Sequence, residues 1–284
     1  MSKLKKAKPL TLISVYIFMI VMAVIMLFPY VWMVMNSFRS SRDIVLSPLA
    51  LFTGPFTIEA YQGIMTLGGR PLIDYLLSSF IITASSVILT LIVCSLGAYA
   101  LTRKPNLPGF KAANFFFLVS IMYPWALLVI PIYLTVFRLG LLGSYIGIIL
   151  AITGGASVSL PYFIFQQFFK TVPYEIIECA ELEGAKEFTI LTRIIVPMAK
   201  PVIGTVALIS FMFTWGEWFY VMVLSVTMKT ATLPVALLNL NSEFGQELNS
   251  IMALSSLLSI PIIILFILTQ KKIIEGLAQG SVKG

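Results

Sequence analysis

Six long apolar stretches, separated by polar segments, run along the sequence. Their approximate bounds are 11–36, 72–102, 112–136, 145–168, 200–224 and 250–270. Each reaches the roughly 20 residues that an α-helix needs to cross the hydrocarbon core of a bilayer. The pattern therefore predicts an all-α, polytopic membrane protein with six transmembrane helices.

The polar segments divide this predicted protein into regions. We expect a tail at 1–10 before the first transmembrane helix at 11–36, and a longer outer segment at 37–71. A core of five transmembrane helices follows at 72–270 and ends in a second tail at 271–284. The longest polar interruption inside that core, residues 169–199, is the segment where we look first for function.

The composition supports a membrane protein and explains the basic charge. Hydrophobic residues make up 59% of the chain and charged residues 11%, whereas soluble domains are about 25% charged. The net charge of +7 is compatible with nucleic-acid binding, but the cations are sorted by topology. Fourteen Lys and Arg share a side with the N-terminus and five lie opposite. By the positive-inside rule, both termini and the 169–199 loop are cytoplasmic, and we expect no nucleic-acid partner.

Several kinds of chemistry are excluded by residue content. The chain has no histidine, and its cysteines, Cys94 and Cys179, are far apart in sequence. No Gly-Lys dipeptide occurs, so there is no phosphate-binding P-loop. We therefore expect no catalytic residue, metal site or cofactor in this chain. If ATP drives the protein, another chain binds it.

The 169–199 loop has the pattern of two short helices joined by a glycine turn. Pro173 suits the first turn of a helix, and Gly184 suits a left-handed stop position. Helical spacing resumes over 185–195, where we expect Phe188, Leu191 and Ile195 to share an apolar face. Such a compact element can dock on a partner protein. The alternative is a loop lying on the lipid surface, but its first half is rich in acids rather than in the Lys and Arg usual there.

The same loop carries a family resemblance. It reads Glu178-Cys179-Ala180, then Gly184, and later Ile194 to Pro197. Further matches lie along most of the chain: Phe56 to Tyr61, Leu101 to Arg103, Pro108-Gly109, Leu139 to Leu142, Leu160-Pro161, Thr232 to Pro234 and the Gly-rich tail. Together these segments resemble the permease subunits of bacterial ABC importers, in detail the maltose-type second permease of the carbohydrate-uptake branch. Cys179 stands in place of Ala, Val196 in place of Leu, and Lys186 where a capping Ser or Thr is common.

The resemblance implies a type I ABC importer permease fold in the bacterial inner membrane. It implies that the loop contacts an ATPase, through Glu178, Cys179, Ala180, Glu183, Gly184, Ala185 and Pro197. It also implies an ATPase-contacting tail formed by Gly280, Ser281, Val282, Lys283 and Gly284. The implied partners are a second homologous permease, two ATPase subunits that carry ATP and Mg, an outer sugar-binding protein and the lipid bilayer.

One acid lies well inside a predicted span. Glu217 is flanked by Trp215, Trp218 and Tyr220. An acid at the centre of a helix costs roughly 2.5–3.5 kcal/mol to insert, so it is expected to face a water-filled cavity or a partner. Aromatic rings and a carboxylate suit a carbohydrate path. Equally, the tryptophans are compatible with lipid-facing positions and Glu217 with a contact to the second permease.

Two other functions are compatible with parts of the sequence. An ion-driven secondary transporter usually needs coupling acids or histidines within spans and repeated halves, and here only Glu217 is well placed. An ABC permease for another solute, such as a polyamine or peptide, shares the coupling loop. A membrane-embedded enzyme needs a catalytic cluster that the sequence does not contain. We therefore expect an importer permease for a sugar or oligosaccharide.

Overall fold

The computed structural model describes residues 9–51, 54–104, 106–155, 158–243 and 247–281. Over these ranges the chain is almost entirely helical. The helices are α1 (Pro9–Asn36), α2 (Ser41–Leu46), α3 (Glu59–Gly63), α4 (Leu72–Arg103), α5 (Phe110–Ser120), α6 (Val129–Arg138), α7 (Tyr145–Gly154), α8 (Ser159–Thr171), α9 (Tyr174–Leu182), α10 (Glu187–Ile190), α11 (Val196–Met198), α12 (Lys200–Trp215), α13 (Phe219–Leu224), α14 (Leu233–Glu243) and α15 (Leu248–Ser281). Short 3₁₀ turns at Trp125–Leu128 and Met228–Thr230 and a π-helical turn at Leu191–Ile195 complete them.

Three helices in the described part of the chain are long and apolar enough to span a membrane unbroken. They are α1, α4 and the Leu248–Gln270 part of α15. The number rises to six if each of three bent helix pairs counts as one span. The protein is a multi-pass membrane protein, and its predicted first, second and last spans are continuous helices.

The predicted span at 112–136 is wrong as a single helix. The structure has α5, a 3₁₀ turn and α6 instead, and the chain bends by 116° between Phe110–Ser120 and Trp125–Arg138. Pro124 lies at the break with φ −62° and ψ 112°. Proline has no N–H to donate, and it disfavours helical backbone in the residue before it, so the helix ends there.

Two further predicted spans, 145–168 and 200–224, are broken at glycines. Helices α7 and α8 meet at 54°, and Gly155 between them has non-helical backbone with ψ −140°. Helix α12 ends at Trp215, and Gly216 to Trp218 separate it from α13. Hydropathy is unaffected by such breaks, because the residues on both sides stay apolar.

The last helix is longer than predicted. Helix α15 starts at Leu248, contains Pro261, and continues to Ser281, well past the expected end at residue 270. Proline is tolerated inside membrane helices because neighbouring groups satisfy the freed backbone carbonyl. The start of the predicted tail at 271 is therefore helical.

Contacts divide the chain into two compact units. The first comprises Met1–Pro71 with Leu237–Ser259. In its outer segment, a two-stranded antiparallel hairpin pairs Thr66–Leu67 with Arg70–Pro71. Gly68 and Gly69 form its turn with φ of 55° and 75°, the left-handed backbone that a tight hairpin requires.

A buried arginine organises the polar end of α1 in this first unit. The side chain of Arg39 is 1% exposed. Its guanidinium donates to the Oδ1 atom of Asn36 at 2.9 Å, and to the backbone carbonyls of Asp43 at 3.0 Å and Ala50 at 2.6 Å. A planar, five-donor group suits this arrangement, because one side chain satisfies several carbonyls at once.

The second unit, Leu72–Ala236 with Ile260–Gly284, is built around α4. Helix α4 packs against α7, α8 and α12. Hydroxyl side chains supply polar contacts on its buried face. The Ser79 hydroxyl accepts from the backbone N–H of Leu233 at 2.9 Å, and the hydroxyls of Ser78 and Tyr145 lie 2.9 Å apart.

Candidate functional site

The loop after α8 folds as two short helices joined by a glycine turn, as predicted. Pro173 is the N-cap of α9, one position before the predicted first turn. Gly184 has φ of 80°, which confirms the left-handed stop. The N–H of Ala185 donates to the carbonyl of Ala180, and that of Gly184 to the carbonyl of Glu181, both at 2.9 Å. This pair of hydrogen bonds is the Schellman ending, which satisfies free carbonyls at a helix C-terminus.

The second half of the loop differs from the prediction at one residue. Leu191 and Ile195 are buried, but Phe188 is 72% exposed. The buried residues in this half are Ile190, Leu191 and Ile195. Phe188 lies beside Leu191 on the helix, three residues before it. It lines a pocket with Leu96, Tyr99 and Leu191, and most of its side chain stays exposed there.

The inner faces of both loop helices belong to the core of the second unit. Ile177 and Ala180 of α9 join Ile190, Leu191 and Ile195 in one buried cluster with residues of α4 and α8. The α4 and α8 members of the cluster are Cys94, Ala98, Tyr99, Tyr162, Phe165 and Phe169. The loop is thus packed onto the ends of two membrane helices rather than hanging from them.

The predicted coupling residues lie mostly on the opposite, outward face. Glu178, Cys179, Glu183, Gly184 and Pro197 are exposed. By contrast, Ala180 is buried and Ala185 is half-buried, so these two pack the loop rather than present a surface.

Sequence reasoning missed one apolar side chain on the outward face. Leu182, next to the Gly184 turn, is 89% exposed. A leucine flanked by acids at the end of a helix was the available signal. Leu182 gives the tip of the loop an apolar surface beside the carboxylates of Glu178 and Glu183.

Two acids of the loop face the membrane helices instead. Glu181 forms an ion pair with Arg103 at the end of α4, and Glu187 lies 3.1 Å from the Nζ atom of Lys104. Burial raises the pKa of the Glu187 carboxyl. Hydrogen bonds from Lys104 and Tyr99, and the charges of Lys104 and Arg103, outweigh that effect, so this pKa lies below its usual value. Glu187 is therefore ionised at neutral pH.

The predicted ATPase-contacting tail is described only in part. Gly280 and Ser281 form the last turn of α15. Val282, Lys283 and Gly284 lie outside the described residues.

A second site lies at the break between α12 and α13. Glu217 and Tyr220 line a cavity of about 160 Å³. Its other lining residues are Trp125, Ile152, Leu160, Pro161, Phe213 and Thr214. The hydroxyl of Tyr220 donates to the backbone carbonyl of Trp125 at 3.0 Å. The cavity thus combines three aromatic side chains, those of Trp125, Phe213 and Tyr220, with one carboxylate.

The two tryptophans predicted beside Glu217 do not line this cavity. Trp215 is 3% exposed and stacks on Phe211 with ring centroids 5.5 Å apart. Trp218 is 41% exposed and meets Phe219 edge-on at 5.5 Å. Trp125, which sequence reasoning missed, supplies the indole instead, because the bend at Pro124 brings it there.

No group of three or more His, Cys, Asp or Glu side chains that could hold a metal ion occurs in the described ranges.

Comparison with known proteins places these features in a class. One solved structure is a bacterial ABC transporter involved in the import of the acidic polysaccharide alginate. It aligns with a TM-score of 0.77 at 21% identity, over 95% of this chain and 99% of that chain. At this identity the match shows the fold, which is that of an ABC importer permease.

Residues 92–277 match the model of the family described as binding-protein-dependent transport system inner membrane component, and the chain belongs to that family. It is a transport permease subunit and not a catalytic enzyme.

Curated relatives agree over nearly their whole length. The diacetylchitobiose uptake permease DasC of Streptomyces coelicolor is 29% identical over 93% of this chain and 95% of its own. The arabinooligosaccharide permease AraQ of Halalkalibacterium halodurans is 30% identical over 92% and 93%. The trehalose/maltose permease MalG of Thermococcus litoralis is 29% identical over 93% and 94%.

Proposed function

We propose that this chain forms half of the transmembrane path for a sugar or oligosaccharide in an ATP-driven importer. The relatives described above are named for diacetylchitobiose, arabinooligosaccharides and trehalose/maltose. The cavity at Glu217 is consistent with this class, because aromatic rings stack on the apolar faces of sugars and a carboxylate accepts from hydroxyl groups.

The assembly we propose contains a second homologous permease, two ATPase subunits and an outer sugar-binding protein. ATP and Mg are bound by the ATPase subunits. The protein lies in the bacterial inner membrane with both termini and the loop in the cytoplasm, as the sorting of basic residues favours.

One observation supports the coupling role best: the two-sided packing of the loop. Its inner face is buried among the ends of α4 and α8, whereas Leu182 is 89% exposed at its tip. Exposed apolar side chains in a rigid element are typical of interaction sites. We infer that the tip, together with Glu178 and Glu183, fills an apolar groove with a basic rim on the ATPase.

The transport cycle then follows from rigid-body motion. ATP binding closes the ATPase dimer and draws the docked loops inward. The loops carry the ends of the membrane helices with them, because packed helices shift as units. The paired permeases open outward and take the sugar from the binding protein, and hydrolysis reverses the motion.

Substitution at the tip tests this role. Leu182→Asp places a charge in the proposed contact, and we expect the ATPase to dissociate during purification in mild detergent. Thr171→Asp is the matched control, since Thr171 is an exposed residue at the end of α8, away from the tip. Retention of the ATPase by Leu182→Asp, with uptake intact, would remove the tip from the interface.

Uptake measurements test the substrate class. Proteoliposomes that contain the purified complex are supplied with the binding protein and with radiolabelled maltose, arabinobiose, diacetylchitobiose or putrescine. ATP-dependent accumulation of a sugar and not of the polyamine is expected. Accumulation of putrescine alone would assign the permease to another solute.

A further inference from the structure

The C-terminal end of α4 contacts both halves of the loop. Arg103 pairs with Glu181 on α9, and Lys104 pairs with Glu187 at the start of α10. The two acids flank the Gly184 turn. One helix end therefore contacts the loop on both sides of its only described left-handed residue.

Arg103 is the more buried of the two cations. Its side chain is 8% exposed, against 54% for Lys104. Its guanidinium carbon lies 4.7 Å from the ring centroid of Tyr174, the first residue of α9. Its Nε atom is 4.0 Å from the Oε2 atom of Glu187. The same Oε2 atom accepts a hydrogen bond from the Tyr99 hydroxyl at 3.0 Å. Arg103 thus touches α9 twice and approaches α10.

These exposures rank the contacts. Ion pairs between exposed side chains contribute little, so the Lys104 pair is secondary. Arg103 is the better shielded cation and makes more contacts with the loop: it pairs with Glu181, lies against Tyr174 and approaches Glu187. Of the two cations, Arg103 is therefore the one whose loss removes more contacts between the end of α4 and the loop.

We propose that Arg103 is a positioning residue that fastens both helices of the loop to α4, so that the loop and this membrane helix move as one body. The apolar packing of the loop is non-directional, whereas a cation that contacts both Tyr174 and Glu181 adds a directional contact between α4 and α9. Because α4 packs against α7, α8 and α12, the fastening delivers motion of the loop to the centre of the second unit. The consequence for transport rests on the proposed docking of the loop; the fastening itself does not.

The first experiment measures the fastening in the permease alone. Spin labels are placed on α4 and α9 by Leu96→Cys and Glu175→Cys, both at exposed positions, with Cys94 and Cys179 changed to Ala. We expect one narrow distance distribution. In Arg103→Glu, a population of detached loops rises at least about threefold, in keeping with the coupling energies of contacting charges. Combining Arg103→Glu with Glu181→Arg restores the narrow distribution.

Two variants keep the result decisive. Lys111→Glu reverses a nearby exposed charge on α5 and should leave the distribution unchanged. If Arg103→Glu does not insert, Arg103→Lys keeps the charge but loses the planar contact with Tyr174, and the detached population should still rise. An unchanged distribution in the inserted Arg103 variants, or failure of the exchanged pair to restore it, would overturn the proposal.

The second experiment uses the complete complex and measures stimulation of ATP hydrolysis by the binding protein. We expect stimulation to fall at least about threefold in Arg103→Glu and to return in the exchanged pair. If Arg103 were purely structural, stimulation would fall and recover together with the yield of the complex. Loss and recovery of stimulation at an unchanged yield therefore support a positioning role. If wild type shows no stimulation, the proposed docking function fails, while the distance measurement still decides the fastening.

Discussion

The carboxylate of Glu217 accepts a 2.9 Å hydrogen bond from the backbone N–H of Tyr220. This acceptor satisfies a free donor in the first turn of α13, at the break that follows Gly216. The same carboxylate lines the cavity beside Trp125. Glu217 therefore combines a capping role in the fold with a position that a passing solute can reach.

Two substitutions separate these roles. Glu217→Gln keeps an oxygen acceptor for Tyr220, so we expect normal yield and thermal stability but reduced sugar uptake. Glu217→Ala removes the acceptor as well, and loss of a cap costs about 0.5–2 kcal/mol, so both stability and uptake should fall. Melting of the purified complex and uptake in proteoliposomes measure the two effects. Full uptake by Glu217→Gln would leave only the capping role.

The turn at Gly184 can be tested through its backbone alone. A Cβ atom there would meet nothing within 4 Å, so the positive φ of 80° is the constraint. Left-handed backbone costs about 1–2 kcal/mol for most residues, whereas Asn adopts it more readily. We expect Gly184→Ala to lower the number of sugar molecules imported per ATP more than Gly184→Asn does.

Gly204→Ala is the control for Gly184. Gly204 lies in α12, and its added Cβ also meets nothing within 4 Å. Coupling should be unaffected there. Equal effects of Ala and Asn at Gly184 would show that the left-handed conformation is not what matters.

A close approach at Gly147 predicts a packing defect. A Cβ atom at this position would lie 2.3 Å from the carbonyl oxygen of Leu141 and 3.0 Å from Val136. Gly147→Ala should therefore destabilise the protein by about 1–3 kcal/mol, as overpacking does. Gly97→Ala, on α4, adds the same methyl group where nothing lies within 4 Å. The temperature of thermal unfolding in detergent should be lower than that of the wild type in Gly147→Ala only.

The buried Arg39 predicts a local opening of the outer segment. Arg39→Lys keeps the charge but cannot reach all the acceptors, and each buried acceptor left without a donor costs about 1–3 kcal/mol. Because cleavage follows the population of the open form, chymotrypsin should cut at the exposed Leu49 about fivefold faster or more. Arg42→Lys, at an exposed position, should be cut at the wild-type rate. Identical cleavage of both variants would contradict this role for Arg39.

Much of the fold follows from local pattern, and the site follows less. Hydropathy predicts the bounds of α1 and α4 within two residues, because each is one unbroken helix. It misses the bend at Pro124, since an averaging window registers apolar character and not a missing hydrogen-bond donor. The helix end at Gly184 could be predicted because a left-handed backbone conformation favours glycine.

Contacts between distant residues were not readable from one sequence. Arg103 and Glu181 are 78 positions apart, and no local spacing links them. For the same reason the sequence did not indicate that Trp125 is a neighbour of Tyr220. Trp215 and Trp218 were named because they lie close to Glu217 in the sequence. In the second half of the loop, Leu191 and Ile195 of the predicted helical spacing are buried, whereas Phe188 of the same spacing is exposed.

Few side chains of helix α1 are buried by the rest of the described chain. None of the residues in its most apolar 18-residue window is buried. Substitutions among Leu, Ile, Val, Phe and Met in this window should therefore leave the packing of the rest of this polypeptide unchanged. A position in this window that nevertheless changes slowly during evolution must contact something outside the chain, and the set of such positions would map the surface that the neighbour covers.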